Sequence, residues 1–157
     1  MLSQLQILSY KTDGRYATDE ELKVIIDFVR SFQLRAQTYQ QLQASEVQIV
    51  QQVYAKIKAS EPGLFMSGNV DVSAKWKRDT IRVLRYSAIA MLLDDPDSLR
   101  EKLLFWMRTI MKAFGAERSC NVTYAVMQQV IQQHLSPTQA SLFCPILEMN
   151  RQILGSV

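Results

Sequence analysis

The sequence is poor in the residues that break or cross-link a fold. Its 157 residues include five glycines, four prolines and two cysteines. So few glycines and prolines exclude collagen-like and Pro-rich linker sequences and argue against a turn-rich all-β domain. Cys120 and Cys144 lie far apart and outside any CxxC motif, so neither a disulfide framework nor a zinc site is indicated. The expectation that follows is a reducing, cytoplasmic compartment.

Strong charge of one sign and long apolar runs are also missing. The formal net charge is +3, which is too small to indicate a nucleic-acid partner. No stretch reaches the ~18 uncharged apolar residues that span a membrane, and the first residues lack a basic leader with a small-residue cleavage site. We therefore expect neither nucleic-acid binding nor membrane insertion. The composition, 48% hydrophobic and 21% charged, is that of one globular domain.

Helix signals dominate the chain. Thr18 and Glu21 form a capping box, and apolar residues then recur at steps of three and four. The sequence continues without Gly or Pro to about Ser60, and because so long a rod is unusual in a small domain, we expect two or three helices there. No alternating strand pattern of useful length is present. The pattern predicts an all-α fold of seven to nine helices with globin-like packing. The first apolar stripe consists of Leu22, Ile25, Ile26, Val29 and Phe32.

Caps and breakers divide the rest of the chain. A central helix is expected from about residue 72 to 93, after a break at residues 61–63. Residues 94–96 and 136–137 each supply an N-cap side chain followed by proline at the first helical position. Gly115 is predicted to stop a helix in the left-handed conformation.

The central helix carries a basic face. Arg78, Arg82 and Arg85 stand at i, i+4 and i+7, so they share one side of the helix. Guanidinium groups suit carboxylates or phosphates, because each offers a planar fork of donors. Asp79, beside Arg78, is a candidate acceptor for an N–H group. A charged helix face is more often solvated surface, and the spacing alone favours that interpretation.

The other candidate sites are weaker. A haem protein needs an axial ligand, and the single His134 stands near a helix end, where surface or capping roles are commoner. Cys144 has no neighbouring base and is interpreted as a buried thiol. No P-loop, GxGxxG, HExxH or GxSxG motif occurs, so we expect no enzyme. A group of aromatic and Met side chains at helical spacing is interpreted as core: Phe105, Trp106, Met107 and Met111.

Residues 78–96 resemble the central helix of phycobiliproteins, particularly of the allophycocyanin type. That family writes the segment as Cys, any residue, Arg-Asp, an aromatic-rich step, Leu-Arg-Tyr, a small apolar run and Gly-Asp-Pro. Three further segments are similar to family motifs in the same order. Residues 13–16 resemble the Arg-Tyr-Leu opening, residues 68–69 the Pro-Gly-Gly-Asn loop, and residues 114–115 the Ser-Leu-Gly that closes a helix.

The resemblance covers nearly the whole chain and implies its architecture. It implies a single globin-like domain over residues 1–157. It also implies an N-terminal helical hairpin, at about residues 1–35, which family members use to pair subunits. A homodimer or heterodimer through these helices is the expected assembly.

The chain departs from the family at the attachment point of the pigment. Trp76 stands where the family carries the Cys that bonds a bilin through a thioether, and an indole cannot form that bond. Arg82 and Val83 replace a pair of tyrosines, which alters the pocket wall, and Asp94 stands where Gly is usual. The sequence is therefore expected to be a divergent relative.

The residues that remain imply noncovalent binding of a bilin of the biliverdin or phycocyanobilin type. Arg78 resembles the partner of a bilin propionate, and Asp79 resembles the acceptor of the pyrrole N–H groups. Trp76 would stack on the ring system, and the resemblance adds Arg82 and Asn69 to the candidate site.

Three functions remain open at this point. The first is a non-catalytic helper in bilin biosynthesis, with haem oxygenase or a bilin reductase as partner. The second is a light-harvesting or structural allophycocyanin-type subunit of the phycobilisome core, with or without a bilin. The third is a haem globin, which the position of His134 disfavours. If no bilin binds, the Arg78–Asp79 pair would serve helix packing alone.

Overall fold

The computed structural model describes residues 1–156, and they are almost entirely helical. The only sheet in this range is an antiparallel pair of two-residue strands, in which Met66 pairs with Asp71 and Ser67 with Val70. The predicted all-α class is confirmed. The elements in chain order are α1 (Leu2–Lys11), α2 (Asp19–Ser60), a 3₁₀ turn (Pro62–Phe65), β1 (Met66–Ser67), β2 (Val70–Asp71), α3 (Ser73–Leu92), α4 (Pro96–Leu99), a π-helical turn (Arg100–Leu104), α5 (Phe105–Ala113), α6 (Glu117–His134) and α7 (Pro137–Leu154).

Helix α2 is one unbroken helix of 42 residues, so the prediction of two or three helices in this region is wrong. Its first half and its second half have different surroundings. No residue of α2 before Thr38 is buried, whereas the second half of the helix contributes Ile49 and Val53 to the core. A sequence without Gly or Pro offers no point at which the helix would stop. The helix therefore continues through both halves, although only the second half packs in the core.

The core lies where α2, α3, α6 and α7 meet. Each of these helices turns a stripe of branched, Met or aromatic side chains inward, as amphipathic helices do. Burying such a side chain contributes about 1.5–3 kcal/mol relative to leaving it exposed, so these four helices hold the remaining elements in place. Fully buried members include Ile49, Val53, Val83, Met91, Met127, Ile131, Phe143 and Leu147.

The predicted helix boundaries are confirmed where side-chain caps define them. Thr18 and Ser136 each form a reciprocal capping box, with Glu21 and Gln139 respectively. Asp95 accepts from the backbone N–H of Ser98 at 3.2 Å and begins α4. Such caps satisfy N–H groups that the first helical turn leaves free, so they can be read from local sequence.

Two residues adopt the left-handed backbone conformation at helix ends. Gly115 has φ 62°, as predicted for a helix stop, and it turns the chain from α5 into α6. Asp94, where the resembling family has Gly, has φ 50° and is the only non-glycine residue with positive φ among residues 1–156. Aspartate tolerates this region better than most side chains. Arg35 also holds it in place, with Nη2 2.9 Å from the Asp94 carboxylate and Nη1 donating to the Met91 carbonyl at 2.7 Å.

The exposure of two aromatic residues on α5, which follows the π-helical turn, overturns part of one prediction. Met107 and Met111 are buried, but Phe105 and Trp106 are about half exposed, at 49% and 54%. The expectation that all four belong to the core is therefore wrong for the two aromatic residues. Phe105 and Trp106 directly precede Met107, and successive helical residues are rotated by about 100°, so the two aromatic residues lie on other sides of α5 than Met107 and Met111.

The N-terminal segment packs along the start of α2. Ser3 donates its backbone N–H to the Asp95 carboxylate at 2.9 Å, which fixes α1 beside the α3–α4 turn. The surface of this N-terminal pair keeps many large apolar side chains in solvent. We call this surface the N-terminal apolar face; it consists of Leu2, Leu5, Ile7, Leu22, Val24, Ile26, Val29 and Phe32.

Candidate functional site

A partly open cavity of 360 Å³ lies beside the first half of α3. Its walls come from the 3₁₀ turn and β1, from α3, from α5 and from the start of α6. This volume falls within the range of about 300–1,000 Å³ that is typical of small-molecule sites. Side chains that line it include Leu64, Met66, Trp76, Asp79, Met107, Met111, Phe114, Cys120, Thr123 and Tyr124.

Trp76 forms a fixed wall of this cavity. Its indole Nε1–H donates to the Thr123 hydroxyl at 2.9 Å, which joins α3 to α6. Its ring meets Phe65 edge-on at 5.2 Å between centroids, and Tyr54 lies at 5.9 Å. Aromatic pairs in such geometries stabilise beyond their buried area. Trp76, which the sequence resemblance puts at the pigment attachment point, is therefore held by the protein itself.

Asp79 brings a negative charge into the cavity wall. Its side chain is 31% exposed, and Arg78 Nε lies 3.7 Å from its Oδ1. Burial first, and then the charges of Glu117 and Asp79, raise the pKa of the Cys120 thiol to about 12. Burial, with smaller contributions from Cys120 and Asp79, raises the pKa of Tyr124 well above its ordinary value. Cys120 and Tyr124 therefore stay neutral beside the Asp79 carboxylate.

Two cations lie at the cavity wall as well. Lys75 places its Nζ 4.2 Å from the centroid of the Phe114 ring, a cation–π contact. Arg118 donates from Nη2 and Nε to Glu61 Oε2, at 2.7 and 3.2 Å. The cavity therefore combines one carboxylate, two cations and an apolar lining. Such a set suits a flat apolar ligand that has N–H donors and acidic groups.

The structure brings together only two of the five predicted site residues. Trp76 and Asp79 line the cavity. Arg78 and Arg82 line a larger open groove, whose residues all come from α3, so this basic groove has no opposite wall. Asn69 is exposed in the turn between β1 and β2 and lines neither. The parts assigned to Arg78, Arg82 and Asn69 in bilin binding stay predictions.

Sequence reasoning missed the far wall of the cavity. Thr123 and Tyr124 lie 47 and 48 residues beyond Trp76, and nothing local indicates that they face it. Met107 and Met111 had a visible signal, their spacing of four residues, but that pattern was interpreted as core only. Cys120 lines the cavity although it lies outside the matched motif. Arg118 gave no signal in the sequence.

The geometry does not support the haem interpretation. His134 Nε2 lies 2.9 Å from Gln52 Oε1 and does not line the cavity. Within residues 1–156, no group of three or more His, Cys, Asp or Glu side chains is arranged to hold a metal ion. Over the same range, none of the helices has the length and apolar character needed to cross a bilayer.

The fold and cavity together define a class of protein. An all-α domain with a long helix near its N-terminus, and with a central helix that lines a cavity, is a phycobiliprotein-like globin. A family model described as phycobilisome protein matches residues 6–154, and the chain belongs to this family. No curated protein matches the sequence.

Proposed function

We propose that this protein is a non-catalytic carrier that binds a linear tetrapyrrole noncovalently in the cavity beside α3. One observation carries the proposal: Asp79 and Trp76, which belong to the segment that resembles the family's pigment motif, share a cavity in a member of the phycobilisome protein family. Members of this family bind bilins in general, so the class of ligand follows from the family and its position from the cavity.

Each polar group of the cavity has a matching group on a bilin. The Asp79 carboxylate accepts from the pyrrole N–H groups, and a charge-assisted bond of this kind is stronger away from bulk water. The apolar lining covers the ring faces. Trp76 lines the cavity at the position where the resemblance expects the pigment to be attached. Biliverdin and phycocyanobilin both meet these requirements, because they share the N–H groups and the acidic side chains.

Binding without a covalent bond follows from the cysteines as well as from Trp76. Cys120 lines the cavity, but a thiol with a pKa of about 12 is almost wholly protonated at neutral pH, and the thiolate is the reactive form. Acid-urea denaturation of the pigmented protein is therefore expected to release all colour. Colour that stays on the wild-type chain but is released from Cys120→Ser would overturn the noncovalent proposal and identify the attachment atom.

Titration with biliverdin tests the site through Asp79. Replacing Asp79 with asparagine removes a charged acceptor and leaves a side chain of nearly the same shape. Losing such a partner costs about 2 kcal/mol, which corresponds to roughly thirtyfold weaker binding. Stability is expected to change little, because an ion pair with an exposed arginine is worth about 0–1 kcal/mol. Absorbance titrations give the affinity, and thermal melts give the stability.

Asp97→Asn is the matched control for this titration. Asp97 also pairs with an arginine, Arg100 at 2.9 Å, but it lies outside the cavity. The control is expected to bind biliverdin as the wild type does. Equal affinities of wild type and Asp79→Asn would refute the site. A fall in melting temperature of Asp79→Asn with unchanged affinity would support the packing interpretation of the Arg78–Asp79 pair.

The biological role that we propose is bilin handling during biosynthesis. Reversible binding suits a protein that accepts a pigment from haem oxygenase or passes it to a bilin reductase. In a chase experiment, loaded protein should transfer biliverdin to a bilin reductase faster than spontaneous release allows. The alternative is a light-harvesting or structural subunit of the phycobilisome core, which family membership favours. Co-sedimentation with assembled phycobilisomes, without transfer, would support that alternative.

The N-terminal apolar face supports a further part of the proposal, assembly through α1 and the first half of α2. Val29 is 65% exposed and Phe32 46%, on a helix surface shared with Leu22 and Ile26. Contiguous apolar patches of this kind mark interaction sites more often than bare surface. The proposed assembly is a dimer, with a second copy or with another phycobilisome subunit, and this pairing is expected to leave the cavity open.

Charge placed on this face tests the assembly. Val29→Glu is expected to shift the protein to monomer in sedimentation experiments, because a carboxylate buried in an apolar contact is costly. Val47→Glu is the control: Val47 is 61% exposed on the same helix but lies beyond the N-terminal pair. A monomeric wild type at high micromolar concentration would contradict self-association, and a dimer that survives Val29→Glu would contradict this face.

A further inference from the structure

We infer that Arg118 is the residue that binds the carboxylate of the ligand in the cavity beside α3, in exchange for its present partner Glu61. The inference rests on the proposed function. It assigns a specificity-determining residue outside the segment in which the sequence resembles the family's pigment motif. That segment, through Arg78, directs attention to α3, whereas Arg118 stands at the start of α6.

Arg118 is placed to meet a ligand in the cavity. It lines the cavity, and Arg78 does not. The Arg78 side chain is 77% exposed and lines the basic groove, on the part of α3 next to the cavity wall. A carboxylate attached to a ligand inside the cavity therefore meets Arg118 without leaving it.

In the structure, the guanidinium group of Arg118 already binds a carboxylate, that of Glu61. Glu61 Oε2 accepts from both Nη2 and Nε of Arg118, so one carboxylate oxygen takes the two donors that a ligand carboxylate would use. Glu61 is the C-cap residue of α2, and it does not itself line the cavity. The carboxylate of Glu61 thus occupies the donor fork that a ligand would need.

The ion pair between Arg118 and Glu61 is partly exposed to solvent. The side chain of Arg118 is 73% exposed and that of Glu61 35%. An ion pair between exposed groups is weak, at about 0–1 kcal/mol, so exchanging one carboxylate for another costs little. Arg118 therefore selects for ligands with an acidic group at the cavity mouth. An esterified ligand of the same ring structure lacks that group.

The test is a two-by-two titration of wild type and Arg118→Gln with biliverdin and biliverdin dimethyl ester. Wild type is expected to bind the free acid about fivefold more tightly than the ester, which corresponds to ~1 kcal/mol. Arg118→Gln is expected to bind both equally, at the affinity of wild type for the ester. Glu61→Gln is expected to bind the free acid about threefold more tightly, because the competing carboxylate is gone.

Arg85→Gln is the matched control. Arg85 also donates from Nε and Nη2 to a glutamate of α2, with both bonds to the Glu46 carboxylate at 2.7 Å. It lies in the basic groove outside the cavity. It is expected to keep the preference for the free acid. Melting curves verify that each variant is folded.

The outcomes separate the two levels of the proposal. A wild type that binds neither form saturably would overturn the proposed function, and this inference with it. A wild type that binds both forms saturably, while Arg118→Gln keeps the wild-type preference for the free acid, would overturn the assignment of Arg118 and leave the proposed function intact. Loss of the preference in Arg85→Gln as well would attribute it to net charge and would also overturn the assignment.

Discussion

Replacing Trp76 with phenylalanine tests whether the wall of the cavity is held by the protein. The change keeps an aromatic ring but removes the indole N–H that donates to the Thr123 hydroxyl. Thr123 is buried, with 3% of its surface exposed. Losing a hydrogen bond costs about 1 kcal/mol, and weaker contacts with Phe65 and Tyr54 cost about 0.5–1 kcal/mol more. We expect the free energy of unfolding to fall by about 1.5–2 kcal/mol, which lowers the melting temperature by about 3–8 °C.

A double-mutant cycle isolates the hydrogen bond from the packing. Urea unfolding of Trp76→Phe, Thr123→Val and the double variant should give a coupling free energy of about 1 kcal/mol. Trp106→Phe is the control, because Trp106 is 54% exposed and its indole makes no hydrogen bond within residues 1–156. An exposed substitution of this type should stay within about 0.5 kcal/mol of wild type.

Additivity in this cycle would refute the reasoning. If the two single changes sum to the double change, the indole N–H and the Thr123 hydroxyl do not hold each other. Trp76 would then be free to turn onto a ligand, and it could not be called a fixed wall. The same result would weaken the explanation of why α3 and α6 stay together across the cavity.

Backbone strain and charge near the helix ends give three further expectations. Gly115→Ala should destabilise by about 1 kcal/mol in thermal melts, because no atom blocks the added Cβ and only the positive φ opposes it; an unchanged melt would contradict that conformation. Asp94→Asn should lower stability by about 1 kcal/mol by removing the charge paired with Arg35, while Asp97→Asn serves as the exposed control. Burial raises the pKa of Asp95, but the hydrogen bonds from Ser3 and from the α4 N-terminus outweigh it and lower the pKa below its ordinary 3.8. The stability from this group is therefore present above about pH 4 and is lost as the pH falls through the lowered pKa, which urea titrations at pH 5, 3.5 and 2.5 should detect as a loss that Asp95→Asn lacks.

The parts of the fold that sequence reasoning predicted are those that neighbouring residues decide. The capping box at Thr18 and the left-handed Gly115 depend on contacts within one turn of chain. The unbroken length of α2 has a local cause as well, the absence of Gly and Pro from residues 19–60, but the expectation of two or three helices rested on the usual length of helices in small domains. The exposure of Trp106 follows from ordinary helix geometry, because Trp106 is rotated by about 100° from Met107 and lies on another side of α5.

The candidate site was predicted in part for the same reason. The resemblance identified one wall of the cavity on α3, where Trp76 and Asp79 lie three residues apart. It carried no information on the opposite wall, since Thr123 comes close to Trp76 only after α6 has packed against α2 and α3. Cys120 was considered for a disulfide or a zinc site, neither of which its spacing from Cys144 indicated, yet packing brings it into the cavity. A site between helices is determined by their packing, and this contact spans 47 residues of sequence.

The helix geometry of α3 explains why the two adjacent motif residues separate. Successive residues of an α-helix are rotated by about 100°, so residues three or four apart share a side and neighbours do not. Trp76 and Asp79 fall on the side that lines the cavity, whereas Arg78 and Arg82 fall on the side of the basic groove. A ligand that used both Asp79 and Arg78 would have to cross the edge between these surfaces. A ligand in the cavity reaches Asp79 from one wall and Arg118 from the other, so under the proposed function different helices would recognise the acidic group of a bilin and its pyrrole nitrogens.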